Sequence, residues 1–221
     1  MRKLKVIFLV VISLAGWTGT ANAMLFEFDA VVTRVSDDVG NITAGAITIG
    51  DMITGQLTYN LGATDRHPAD PEIGEYVFYA PNEGLNFTFG GTTIFQAPTN
   101  FELQIRDRLC GDTPDFNCSP SGTFDQQIIA VAANDLSPIY GWTPAVLVWG
   151  LANFSERVLL SDALPTSLNL DDWESANWRI AGGGTRISGS ITRIKQVPTP
   201  ATLALFGIGL TALGWSRRKK V

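Results

Sequence analysis

Histidine and cysteine are nearly absent from this 221-residue chain, which has one His, at position 67, and two Cys, at 110 and 118. One histidine with no Ser- or Cys-bearing nucleophile motif around it leaves imidazole-based acid–base and nucleophilic chemistry little to build on, so His67 reads as a solvated loop residue. Basic charge is also missing from the middle of the chain. Residues 24–197 carry 9 of the 16 Lys and Arg against all 21 Asp and Glu, a net charge of −12. That excludes non-specific nucleic-acid binding, which needs a basic face to displace counterions. Sustained helical periodicity, fixed-period repeats and EF-hand spacing are absent too, which argues against a helical bundle, a propeller or solenoid, and a dedicated calcium loop.

The other seven basic residues sit at the two ends. Met1–Ala23 opens with Arg2, Lys3 and Lys5, continues with an apolar stretch from Val6 to Trp17, and closes on Ala21-Asn22-Ala23. This is the three-part pattern of a secretory signal peptide, and its A-x-A site predicts cleavage between Ala23 and Met24. The apolar run is shorter than the ~20 residues of a membrane span. The domain from 24 to 196 is therefore expected to fold outside the cytoplasm, where Cys110 and Cys118, with seven residues between them, form a disulfide. Closing so short a loop stabilises by roughly 2 to 3 kcal/mol in the chain-entropy description.

The other end, 197–221, runs Val197-Pro198-Thr199-Pro200, then an apolar, Gly-containing segment over about 201–215, then Arg217-Arg218-Lys219-Lys220. The prolines impose an extended approach. As a helix, the apolar segment covers about 22 Å of a ~30 Å hydrocarbon core, so it spans only with its flanks included and its basic side chains snorkelling. The basic cluster keeps that end cytoplasmic and leaves the preceding domain outside. The Pro-x-Pro pair, Ala201-Thr202-Leu203-Ala204-Leu205, the Gly-rich apolar helix and the Arg-Arg-Lys-Lys tail resemble the PEP-CTERM sorting signal of Gram-negative bacteria. The same tail is also named after ice-binding proteins, a label that implies nothing about ice. Thr199 stands where that family usually has Glu. The resemblance implies transient processing by a membrane-embedded exosortase, a membrane-held intermediate, and delivery to the cell surface, outer membrane or extracellular exopolysaccharide matrix.

Between the ends the pattern is β. Phe26, Phe28, Ala30 and Val32 alternate with Glu27, Asp29 and Thr33, the period of a half-buried strand. Ala46–Ile49 and Ile53–Tyr59 flank Gly50-Asp51 as a predicted hairpin. Further strands are predicted at 76–79, 85–89, 92–95, 101–105, 128–132, 145–151 and 186–194, with short helices at 155–163 and 171–177. The sum is an all-β domain, a jelly-roll-like β-sandwich, with a cleaved signal peptide and one C-terminal transmembrane helix.

Three sets of side chains are candidates for binding. Tyr140, Trp142 and Trp173, with Asp171, Asp172, Asn177 and Arg179 and the nearby Trp178, could stack on and hydrogen-bond a sugar, against the plainer expectation of packing; Trp149, in an apolar run, belongs to the core. Asp65, Asp70 and Glu72, or Asp112 and Asp115, could supply oxygens to a structural Ca²⁺, and no other cofactor is expected. No carboxylate pair lies in a glycosidase motif. The expectation is a non-catalytic surface or matrix protein, the alternatives being a carbohydrate-binding module and, third, a secreted hydrolase.

Overall fold

Strand formation follows the alternation of apolar residues, and the pairing of the first strand with the last decides how the strands assemble. The computed structural model describes residues 23–37, 45–80, 83–95, 101–109, 124–133, 136–155 and 158–198. Residues 1–22 of the expected signal peptide, Cys110 and Cys118, Asp112 and Asp115, and the tail beyond Pro198 lie outside them. Among the described residues there are ten strands: β1 Ala23–Asp37, β2 Met52–Asn60, β3 Ile73–Phe78, β4 Gly84–Phe89, β5 Thr92–Phe95, β6 Phe101–Leu109, β7 Phe124–Ala133, β8 Val146–Asn153, β9 Ser175–Gly182 and β10 Thr185–Val197.

The all-β class holds, but the predicted sandwich does not. All ten strands form one antiparallel sheet in the order β3-β6-β7-β8-β9-β10-β1-β2-β4-β5, curled into a half-barrel. A sandwich would divide the strands between two sheets. Here β1 pairs with β2 on one side and β10 on the other, fusing both halves through the longest ladder of the sheet, from Leu25 opposite Val197 to Asp37 opposite Thr185.

Three further expectations fail. Ala46–Ile49 is not a strand: Gly50 N donates to Val32 O and Val32 N to Asp51 O, which docks this segment as a turn beside β1. No helix forms at 171–177. A single 3₁₀ turn at Leu170–Asp172, capped by the Asn169 side chain, ends at Trp173, and β9 begins at Ser175. Nor do the described residues of 155–163 form a helix. Neither segment has a continuous apolar stripe, so neither has a helical face to bury.

Curling comes from two bulges in the β1–β10 ladder, one leaving Thr192 unpaired and one leaving Thr33 unpaired. A bulge bends its strand and increases local twist. Each extra residue is a threonine whose hydroxyl donates to a carbonyl across the ladder, Thr192 to Asp29 O at 3.2 Å and Thr33 to Ser188 O at 3.4 Å. The inner face of the sheet buries one core, with Phe26, Phe28, Phe87, Phe101 and Trp149 essentially inaccessible. Phe28 meets Phe87 edge-on at 5.0 Å, and Phe87 lies 5.3 Å from Trp178. Such edge and tilted arrangements suit the aromatic quadrupole. Gln126 on β7 is the polar node of this core. It donates to Asp107 of β6 and to Leu159 O, and accepts from the backbone N–H groups of Val158 and Leu159, tying the loop after β8 to the sheet.

Gly189 shows how closely the bulged strands approach. A Cβ there would overlap the Val31 carbonyl oxygen and lie 2.8 Å from Trp178 Nε1, whereas at Gly150 the nearest atom is 3.5 Å away. Gly189→Ala is expected to destabilise by about 2–3 kcal/mol through overpacking, and Gly150→Ala to stay within about 1 kcal/mol of wild type. Urea unfolding midpoints of the two variants check this.

Candidate functional site

The aromatic residues marked for sugar stacking do not form a platform. Trp142 is 4 % exposed and its Nε1 donates to Gly182 O at 3.1 Å; Trp173 is 9 % exposed. Trp142 is thus bonded to the last residue of β9, while Trp173 precedes its first. An eight-residue strand spans about 23 Å between those ends, too far for one ring-stacking site. Tyr140 is 41 % exposed and sits at the first corner of a two-residue turn, with φ of 49° at Tyr140 and 81° at Gly141, closed by two bonds between Ile139 and Trp142. These positive φ values are those of a type I′ hairpin turn. Trp142 and Trp173 are packing residues, and the stacking expectation is corrected accordingly. Trp149 is core as expected, and Trp178 joins it there.

The polar residues once grouped with these rings separate into two places. Asp171, Asp172 and Glu174 rim a hollow of about 570 Å³ beside Trp173. Its groups hold the local chain: Asn153 Nδ2 donates to Asp172 O at 2.8 Å, Phe154 N to Glu174 Oε2 at 3.3 Å, and Ser155 Oγ to Glu174. Asn177 and Arg179 instead alternate away from the core into a groove of about 430 Å³ on the outer face of the sheet. Arg186 and Ser188 of β10 and Gln127 of β7 face the same groove. Sequence reasoning missed Arg186, Ser188 and Gln127 because only the pairing of β7, β8, β9 and β10 brings them together.

Asp65, Asp70 and Glu72 form turns. Asp65 Oδ1 accepts from the backbone N–H groups of His67 and Glu75, both at 2.9 Å, and Asp70 Oδ1 from that of Glu72 at 3.0 Å. Among the described residues, no group of three or more His, Cys, Asp or Glu is placed to hold a metal ion. His67 is exposed and its Nε2 lies 3.2 Å from Glu75 Oε2. Nearby, partial burial raises the Asp162 carboxyl above the usual carboxylate range, and the charges of Asp65, Asp70 and Asp107 push the same way against a lowering backbone hydrogen bond. Burial, then Asp65 and Asp162, push the Tyr76 phenol up to about 12; its hydroxyl donates to Asp162 O at 3.1 Å.

Among the described residues, no helix is long and apolar enough to cross a membrane. The segment expected to do so begins where the sheet ends: β10 finishes at Val197, followed by Pro198. Residues 196–219 match the model of the PEP-CTERM protein-sorting motif. No curated protein and no solved structure matches the chain. The match covers the tail alone and confirms the resemblance read from Pro198, Pro200 and Arg217 to Lys220.

Two outcomes are expected. Trp142→Ala and Trp173→Ala each cost about 3–5 kcal/mol of stability, read as a fall in the thermal midpoint, because they empty core volume. Asp162→Asn raises the midpoint at pH 7. A carboxyl whose folded-state pKa is raised stabilises the fold while protonated and loses that contribution as pH rises through its range. The gain should therefore shrink as pH falls below the carboxylate range, and a gain independent of pH would contradict the assignment.

Proposed function

We propose that this chain is an exported, non-catalytic protein of the bacterial cell surface or exopolysaccharide matrix, placed there by its C-terminal signal. The observation that carries the reading is the sorting motif at 196–219, which starts on the last two residues of β10. An exosortase is the partner such a motif implies, acting transiently on the tail. The membrane is the second partner, through the apolar segment at about 201–215, and the Arg217–Lys220 cluster holds the cytoplasmic side.

The geometry supports the same arrangement. Leu25 pairs with Val197 and Phe26 with Gln196, so the chain enters the domain after the proposed cleavage at Ala23 and leaves it toward the tail from one pole of the sheet. A leader and a tail that both engage the membrane then demand no rearrangement of the domain. Removal of the leader at Ala23 would leave β1 paired from Met24 onward, opposite Tyr59 on β2.

The non-catalytic assignment, without a resident cofactor, rests on the same residues. The single histidine is exposed beside Glu75, and Glu174 at the Trp173 hollow is occupied in hydrogen bonds to its own loop. The Cys110–Cys118 disulfide belongs to this reading as the product of an oxidising compartment.

Fractionation of the producing bacterium tests it. The full chain is expected at the surface or in the matrix, a chain ending at Val197 in the soluble periplasmic or secreted fraction, and a chain with Arg217, Arg218, Lys219 and Lys220 all changed to Gln in unprocessed form. Identical distribution of all three would overturn the proposal.

A further inference from the structure

We infer that the groove on the outer face of β7, β8, β9, β10 and β1 is a binding site for a carboxylate-bearing oligosaccharide, a chain of uronic acids. The inference deepens the surface placement proposed above and rests on it, since extracellular acidic glycan is what an exported domain meets.

Charge is the first argument. The domain from 24 to 197 has net charge −12, yet none of the residues lining this groove is acidic, and two of the domain's nine basic side chains, Arg179 and Arg186, line it. The ladder adds a third cation at the rim, because Arg34 pairs with Ser188, which itself pairs with Arg179. Among the described residues, Arg179 and Arg186 make no ion pair, unlike Arg66 and Arg193, which meet Glu75 and Asp29. Arg179 Nε is buried with no hydrogen-bond partner. A groove lined by two guanidinium groups without an ion-pair partner and by no acid suits a planar carboxylate, which satisfies their fork geometry.

The remaining lining separates a glycan from an acidic peptide. Strands β7 to β10 lie in the interior of the sheet with both edges paired, so no free N–H or C=O is offered to an added peptide strand. Recognition is by side chains alone. Asn177 and Ser188 offer amide and hydroxyl groups that complement sugar hydroxyls, over a floor of Ile129, Val148 and the bare backbone of Gly150 that accepts the C–H face of a ring. Long-range attraction of a polyanion is opposed by the acidic surface, so affinity must come from these close contacts and must fall with added salt.

The test is calorimetric titration of the full chain, purified in non-ionic detergent, with a galacturonic acid hexamer. The comparison ligands are its carboxyl-reduced neutral counterpart and hexaglutamate. Saturable binding of the uronate hexamer is expected, weakened several-fold between 50 and 300 mM salt, with at least tenfold weaker binding of either comparison ligand. Arg179→Gln/Arg186→Gln should lose tenfold or more at an unchanged thermal midpoint, Ser188→Glu should abolish binding by placing a carboxylate in the groove, and Arg66→Gln should bind as wild type. Absence of binding by the folded chain, equal binding of the neutral hexamer or of hexaglutamate, or binding that survives both groove variants would overturn the inference. Because fractionation reads the tail and titration reads the groove, surface placement can stand where uronate binding fails.

Discussion

Everything in this domain hangs on the antiparallel pairing of β1 with β10. The two strands are the first and last of the domain, and their ladder joins the six-strand run from β3 to β10 with the four-strand run from β1 to β5. Without it, each half would present a long open edge, the feature that invites aggregation. Pairing strands about 160 residues apart carries a high loop-closure cost. That cost is offset by the apolar burial at Phe26, Phe28, Ala30 and Val32 against the rest of the core. The sheet cannot close until β10 has emerged, so the strand that completes the fold is the one that runs into the sorting tail.

The two bulges in that ladder set the shape. They bend β1 and β10 where Thr33 and Thr192 stand unpaired, and the bend lets the inner faces of distant strands share one core. The curvature also separates the outer groove from the packed core. Aromatic mass collects inside, where the Nε1 atoms of Trp149 and Trp178 are left without partners, a cost tolerated for the area these rings bury. Outside, the same strands present Arg179, Asn177 and Ser188. Among the described residues no tryptophan is left on the outer face, where the groove offers two guanidinium groups and small polar side chains over an aliphatic floor.

Much of this was legible beforehand. Period-two alternation marks β1 plainly, since Phe26, Phe28, Ala30 and Val32 all face inward. β9 was not legible, because Ser175–Gly182 has only Trp178 and Ile180 as large apolar residues, and the acidic residues before it read as a helix start. Ala46–Ile49 reads as a strand because Ile47 is apolar, yet Ile47 is buried by the docking of its turn against β1 rather than by strand pairing. Trp142 and Trp173 could not be assigned from their sequence context, since a ring near polar residues reads the same whether it faces sugar or core.

The amino-acid sequence alone determined the sorting motif at the C-terminal end and the β class of the middle, because a Pro-x-Pro–apolar–basic tail and alternating hydrophobicity are local patterns that need no partner to be read. Tertiary structure decided the single curled sheet in place of a sandwich, the burial of the tryptophans and the assembly of Arg179, Arg186 and Ser188 into one groove. These depend on which strands pair and where a bulge shifts the register, and pairing is a property of residues far apart in the chain.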